Sequence, residues 1–182
     1  MLLIKFPSKS RPEKLVQVYK KYIEYATTPS QIKSIISLDN DDQTVTPELV
    51  ESLKSIHPAT DVVIGTPAGK IGAVNRDMEF SGNWDILVLV SDDMIPEIHG
   101  WDDIIRTKMN LLYPDTDGVL WFNDGFQKNN LNTLCILGHT YYNRFGYIYH
   151  PAYKSLWCDN EFMIVADMLG KQTYFEDIII RH

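Results

Sequence analysis

Trp84-Asp85-Ile86-Leu87-Val88-Leu89-Val90-Ser91-Asp92-Asp93-Met94-Ile95-Pro96 carries an apolar strand, Ile86 to Val90, that ends abruptly in two adjacent carboxylates. A run of this length, rich in β-branched and aliphatic residues, is the pattern of a strand buried on both faces, as in a parallel sheet. Such strands present ligand-binding groups at their carboxyl ends. Two acids at that spot suit a hard divalent cation, because Mg²⁺ and Mn²⁺ prefer carboxylate oxygens and commonly share their shell with substrate phosphates. The alternative reading of the same residues is a loop leading to a helix N-cap.

Upstream of this strand the chain repeats one unit. Leu2 to Phe6 reads as a strand, Pro7 to Pro12 as its loop, and Leu15, Val16, Tyr19, Tyr22 and Ile23 recur at helical spacing. Ile32 to Leu38 is a second strand, closed by Asp39-Asn40-Asp41-Asp42 and followed by a helix over Pro47 to Ile56. Asp61 to Gly65 is a third, with the loop Thr66 to Gly72 before a helix expected from about Ala73 towards Phe80. Strands alternating with helices imply parallel pairing through right-handed crossovers. Downstream the rhythm changes. A helix is expected over Trp101 to Leu112, strands at Gly118 to Phe122 and Thr133 to Leu137, and an irregular aromatic stretch from His139 to Tyr153. A last amphipathic helix fits Asn160 to Leu169, stopped by Gly170, with a short strand at Thr173 to Phe175.

Composition narrows the function classes. A length of 182 residues favours one domain with a substantial core. A net charge of −7 argues against binding a nucleic-acid polymer, whose phosphates are gripped by clustered Lys and Arg, but permits a nucleotide-sized ligand. Only Cys135 and Cys158 occur, far apart, so neither a disulfide framework nor a zinc site is expected, and a cytoplasmic location is the default. The apolar N-terminus is too short for a signal sequence, and no run approaches a membrane span. Gly69 and Gly72 fit neither a P-loop nor a dinucleotide fingerprint, and no serine or cysteine sits in a nucleophile elbow. His57, His99, His139 and His150 lack helical zinc spacing and are expected to be structural or surface residues.

In their order, these segments resemble the nucleotide-sugar-dependent glycosyltransferases of the GT-A fold, particularly the large inverting family-two group. The resemblance is carried by Phe6-Pro7-Ser8-Lys9-Ser10-Arg11-Pro12 as the nucleoside loop, by Ile35 to Asp42 as the second-strand end, by Gly69-Lys70-Ile71-Gly72-Ala73-Val74-Asn75, and by Val90-Ser91-Asp92-Asp93 at the D-x-D position. A further match is Trp157-Cys158-Asp159-Asn160-Glu161-Phe162, similar to the family's E-D motif at a helix start, with Cys158 in place of the Glu. Val90 departs from the pattern, standing where the first Asp of D-x-D aligns.

The resemblance implies a single-domain α/β GT-A (nucleotide-diphospho-sugar transferase) fold over 1–182, a mostly parallel central sheet flanked by helices. A nucleotide-binding half spans about 1–96 and an acceptor and catalytic half about 97–182. It implies a metal-dependent, inverting transferase that moves a sugar from a UDP- or GDP-sugar to the hydroxyl of an unknown acceptor. Pro7, Ser8 and Arg11 would line the nucleoside pocket, Asp39 or Asp41 would meet the base, and Lys70 and Asn75 would approach ribose or phosphate. Asp92 and Asp93 would serve Mn²⁺ or Mg²⁺, with Asp92 also facing the nucleotide, and His182 would join the metal or diphosphate. Asp159 would be the base, in the field of the helix dipole and beside free backbone N–H groups. Its other reading is a helix cap, and that of His182 a frayed end of a chain cut from a longer protein. Two other readings stay open: a nucleotidyltransferase acting on a sugar phosphate, whose usual glycine-rich first loop is missing here, and a glycosyltransferase-like binding module without turnover.

Overall fold

A computed structural model describes residues 1–182 as one seven-stranded sheet covered by helices on both faces. The first four strands, β1 (Leu2–Ser8), β2 (Ile32–Asp39), β3 (Thr60–Gly65) and β4 (Ile86–Leu89), all run parallel. The order across the sheet is β3-β2-β1-β4, continuing to β7 (Ile136–Gly138), β6 (Val119–Phe122) and β8 (Gln172–Phe175). Strand β7 pairs antiparallel with both β4 and β6, whereas β8 runs parallel to β6.

Alternation along β1 builds both layers. Leu2, Ile4 and Phe6 face α1 (Pro12–Glu24), α2 (Pro47–Ile56) and α4 (Trp101–Leu112), where Tyr19, Tyr22, Leu53, Trp101 and Ile105 complete one core. Leu3 faces the opposite layer with Ile71 and Val74 of α3 (Gly69–Asn75), Tyr141 of α5 (His139–Asn143), and Phe162 and Ala166 of α6 (Cys158–Met168). Phe6 is fully buried, so truncating it to alanine costs about 3–5 kcal/mol. The first two crossovers cover one face and the third covers the other, and the strand order reverses between β1 and β4. That reversal opens a crevice beyond the carboxyl ends of these strands, the place where open α/β sheets bind ligands.

Three points differ from the sequence reading. The third helix starts at Gly69 rather than near Ala73, because Gly69 adopts a left-handed φ of 68° and turns the chain into the helix four residues early. It ends at Asn75, since Asp77 is left-handed (φ 67°), and only a 3₁₀ turn follows at Met78–Phe80. The second change is a small antiparallel pair absent from the sequence reading, β5 (Ile95–Pro96) with β9 (Ile180–Arg181). The expected strand from Thr133 is shorter and begins at Ile136, because the Thr133 hydroxyl turns to Asp124 Oδ2 (2.7 Å) and Asn132 to Gln172. No helix is long and apolar enough to cross a membrane.

Candidate active site

The carboxyl ends of β1, β2 and β4, the first turn of α3 and the first turn of α6 border one cavity of about 660 Å³. That volume is ordinary for a small-molecule site. From β1 and its loop come Pro7, Ser8, Lys9 and Arg11, and from β2 comes Asp39. Lys70 enters from α3, Asp92 and Asp93 from the turn after β4, Asp159 from α6, and His182 from beyond β9.

The loops after β1 and β2 are held by Asp42. Its carboxylate accepts the backbone N–H of Ser10, the N–H of Thr44 (3.0 Å) and the Thr44 hydroxyl (2.8 Å), locking Ser10 at φ 60°. Burial raises the pKa of this carboxyl, but the hydrogen bonds from Thr44 and Ser10 outweigh it and leave the pKa below the usual range. Asp41 lies outside the cavity lining and pairs at the rim with Lys9 Nζ (2.7 Å), which also stands 3.1 Å from Asp39 Oδ2.

The two acids after β4 part company. Asp92 is buried; its Oδ2 meets Arg11 Nε at 2.9 Å, Lys14 Nζ is 4.0 Å from Oδ1, and Oδ1 has no hydrogen-bond partner. Asp93 is about half exposed, accepts the Ser91 hydroxyl, and stands 3.8 Å from His182 Nε2. Burial pushes the Asp93 carboxyl up, yet the Ser91 hydrogen bond and His182 together bring it below its ordinary value. His182 is delivered by the β5/β9 pair and by its own N–H, which donates to Asp124 O (2.9 Å). Val90 is buried in the core while still bordering the cavity, so no carboxylate occupies the first D-x-D position.

The donor set fits a hard divalent cation with few protein ligands. No three His, Cys, Asp or Glu side chains stand close enough to hold a cation by themselves. Asp93 with His182, 3.8 Å apart, would leave most of a shell to phosphate oxygens and water, as is common for Mg²⁺ and Mn²⁺.

Asn75, like Asp41, lies outside the cavity lining. Rather than reaching toward ribose or phosphate, its Nδ2 donates to Tyr149 O (2.6 Å), and its Oδ1 accepts from the N–H groups of Ile148 (2.9 Å) and Tyr149 (3.1 Å). It pins the aromatic stretch to α3 and so places Tyr149, which borders the cavity. Asp159 accepts only from the N–H of its neighbour Asn160 (3.0 Å) and otherwise faces the cavity. The four other histidines stay away from the cavity lining, His57 bonding Pro29 O and His139 packing edge-on to Trp84. Of the second-half aromatics, Tyr149 alone borders the cavity, Tyr141 fills the core, and Trp157 is exposed. Arg76, missed by the sequence reading, stands behind Asp39 with Nη1 3.1 Å from Oδ1; a cation directly after an apolar helix was the signal available.

No family model matches the chain, and no curated protein matches it in sequence. Solved structures do match. The mannosyltransferase PcManGT from Pyrobaculum calidifontis, in complex with GDP-Man and Mn²⁺, superposes with a TM-score of 0.77 at 14% identity, over 100% of this chain and 56% of that one. S. aureus TarS 1-349 in complex with UDP superposes at 0.75 with 13% identity, over 98% of this chain and 59% of that one. The same protein with UDP-GlcNAc gives 0.74, 12%, 98% and 57%. The chain therefore spans somewhat more than half the length of these structures. At such identities the likeness shows the fold, a GT-A-like α/β arrangement shared along essentially the whole chain.

Proposed function

We propose that this chain is a metal-dependent, inverting glycosyltransferase domain that transfers a sugar from a nucleoside diphosphate sugar to an acceptor hydroxyl. The observation that carries the reading is the convergence on one cavity of Asp39, the Asp92–Asp93–His182 group and Asp159, on a fold shared with structures that hold GDP-Man and UDP-GlcNAc. The half up to about residue 96 binds the nucleotide, and the half from about 97 supplies the acceptor side.

In this reading Pro7 and Ser8 wall the nucleoside, and Asp39 meets its base. Arg11 and Lys70 bring positive charge to the diphosphate. Asp93 and His182 would hold Mg²⁺ or Mn²⁺, while Asp92, tied to Arg11, orients the loop and faces the nucleotide. A bound cation of this kind supplies Lewis-acid stabilisation of the diphosphate leaving group. Asp159 removes the proton from the acceptor hydroxyl as its oxygen attacks the anomeric carbon, and the nucleoside diphosphate departs from the opposite face. Both cysteines are free thiols, which suits a reducing, cytoplasmic setting.

Val90 in the core and the small set of protein metal ligands favour one competing reading, a binding module without turnover. A thermal-shift screen of UDP-, GDP-, CMP- and dTDP-sugars with and without Mn²⁺ tests the shared part, since a ligand that binds only the folded state raises the melting temperature by mass action. No shift with any nucleotide refutes it. Asp159→Asn separates the two readings: for the enzyme, transfer falls about 100-fold or more while donor binding persists. A binding module shows no transfer before mutation either.

A further inference from the structure

Strand β8 lies at one edge of the sheet without the devices that usually guard such an edge. It pairs with β6 alone. Lys171 O and Phe175 O accept from the N–H groups of Val119 (2.8 Å) and Asn123 (2.9 Å), so the alternation of the strand turns the N–H and C=O groups of Gln172 and Tyr174 outward. No charge or proline interrupts Gln172-Thr173-Tyr174-Phe175, whereas β3 at the opposite edge carries Asp61, paired with Lys33 (3.3 Å).

The helices beside β8 are apolar on their outer flanks. The last turn of α4 lies against one face of the strand: Lys108 Nζ is 4.5 Å from the centroid of the Phe175 ring, and the Tyr113 and Thr173 hydroxyls are 2.9 Å apart. Here Leu111 is 74% exposed, with Leu112 exposed beside it. On the other face α6 runs directly into β8, the Lys171 N–H donating to Ala166 O (2.9 Å). Ile164 and Met168 recur at helical spacing on the flank of α6 opposite Asp159, which borders the cavity. Met168 is 82% exposed, and Leu169 follows it at the surface. Five of the twelve large apolar side chains left exposed thus surround one unguarded strand, which marks an interaction surface rather than scattered exposure.

We propose that this edge joins a second copy of the chain, β8 running antiparallel to β8 about a two-fold axis at Thr173. The partner is fixed by what the edge requires: outward backbone donors and acceptors in one row, with apolar side chains above and below it. The same edge supplies that complement. Gln172 of each copy exchanges both backbone hydrogen bonds with Tyr174 of the other, leaving Thr173 opposite itself. An axis perpendicular to the sheet sets α4 beside α4 and α6 beside α6, so Leu111 and Met168 approach their own counterparts. Such a contact is isologous and closes at two copies. Because β8 runs parallel to β4, the two cavities open at opposite ends of the joined sheet.

Sedimentation equilibrium of the intact chain tests the proposal. A mass twice the 21.0 kDa of one chain is expected. A monomer at about 100 μM, far above the dissociation constant of a specific interface, overturns it. Leu111→Lys and Met168→Lys each bring like charges together near the axis, and both sit in last helical turns where a cation suits the dipole, so the monomer keeps its fold by circular dichroism. Each is expected to weaken the dimer about tenfold or more. Ile64→Lys, on the exposed part of β3, is expected to leave the dimer intact. A dimer indifferent to the first two variants, or broken by the third, overturns the location. The amides of Gln172 and Tyr174 are expected to exchange with solvent about tenfold more slowly in the dimer than in the monomer. A dimer without that protection overturns the strand pairing.

Discussion

Replacing Lys5 by methionine isolates one buried charge. Lys5 is fully buried on β1, its ammonium donates to the Ser37 hydroxyl, and Asp77 Oδ2 is 4.0 Å away. Burial lowers its pKa from 10.5 to about 8; Asp77 opposes the shift, Arg76 adds to it and Glu79 opposes it. Between these two pH values the unfolded chain holds a proton that the folded chain has released. The unfolded state then binds more protons, so stability rises with pH across that window and is flat below it. The wild type should gain on Lys5→Met by about 2 kcal/mol between neutral pH and about pH 9.5, approaching about 3 kcal/mol at full deprotonation. Tyr22, Tyr149 and Cys135, whose pKa values burial raises, pull stability the other way in alkali, but they are common to both proteins and cancel in the difference. Urea denaturation of both proteins at a series of pH values measures it. Parallel stability profiles would refute the argument.

Asn75→Ala removes three hydrogen bonds to the backbone of Ile148 and Tyr149 and should cost about 3 kcal/mol, roughly 6–12 °C in Tm; a loss under about 1 kcal/mol would show that the clamp is idle. Thr46→Ala deletes the N-cap of α2, whose hydroxyl accepts from Leu49 N, and should cost about 1 kcal/mol by chemical denaturation. Trp157 is exposed at φ 72°, a conformation unfavourable for a bulky side chain, so Trp157→Gly should raise stability by about 0.5–1 kcal/mol, and a loss of that size would contradict it. Asp93→Asn should weaken Mn²⁺-dependent nucleotide binding about tenfold or more while leaving metal-free binding unchanged, read by titration with and without the cation.

Local chemistry made α2 and α4 legible to the residue. Thr46 with Pro47 starts one helix, Gly100 in a left-handed turn precedes the other, and periodic apolar positions run through both. The parallel strands were legible because each is a continuous apolar run, and their carboxyl ends named most of the residues that line the cavity. The third helix was misplaced because Gly69 and Asp77 set its ends through backbone conformation, and Asp77 is held by Ser37 from a distant strand as well as by its neighbour Arg76. Asn75 was misassigned for a similar reason. An amide of that type serves a ligand or a neighbouring loop equally well, and only the fold brings Tyr149 to it. The β5/β9 pair carries no periodic signal, since two residues per strand gain their order from pairing rather than from propensity.

That small pair governs how the His182 corner of the cavity breathes. Most of the lining is carried on long strands and helices, but His182 hangs from a two-residue ladder, aided by the ion pair of Arg181 with Glu97. A ladder so short opens by local fluctuation at a fraction of the global unfolding free energy. Amide hydrogens of Glu97 and His182, which donate to Ile179 O and Asp124 O, should therefore exchange with solvent well before those of β1 and β2. The imidazole then behaves as a detachable arm that leaves and rejoins Asp93 at the cavity edge as the ladder opens and closes.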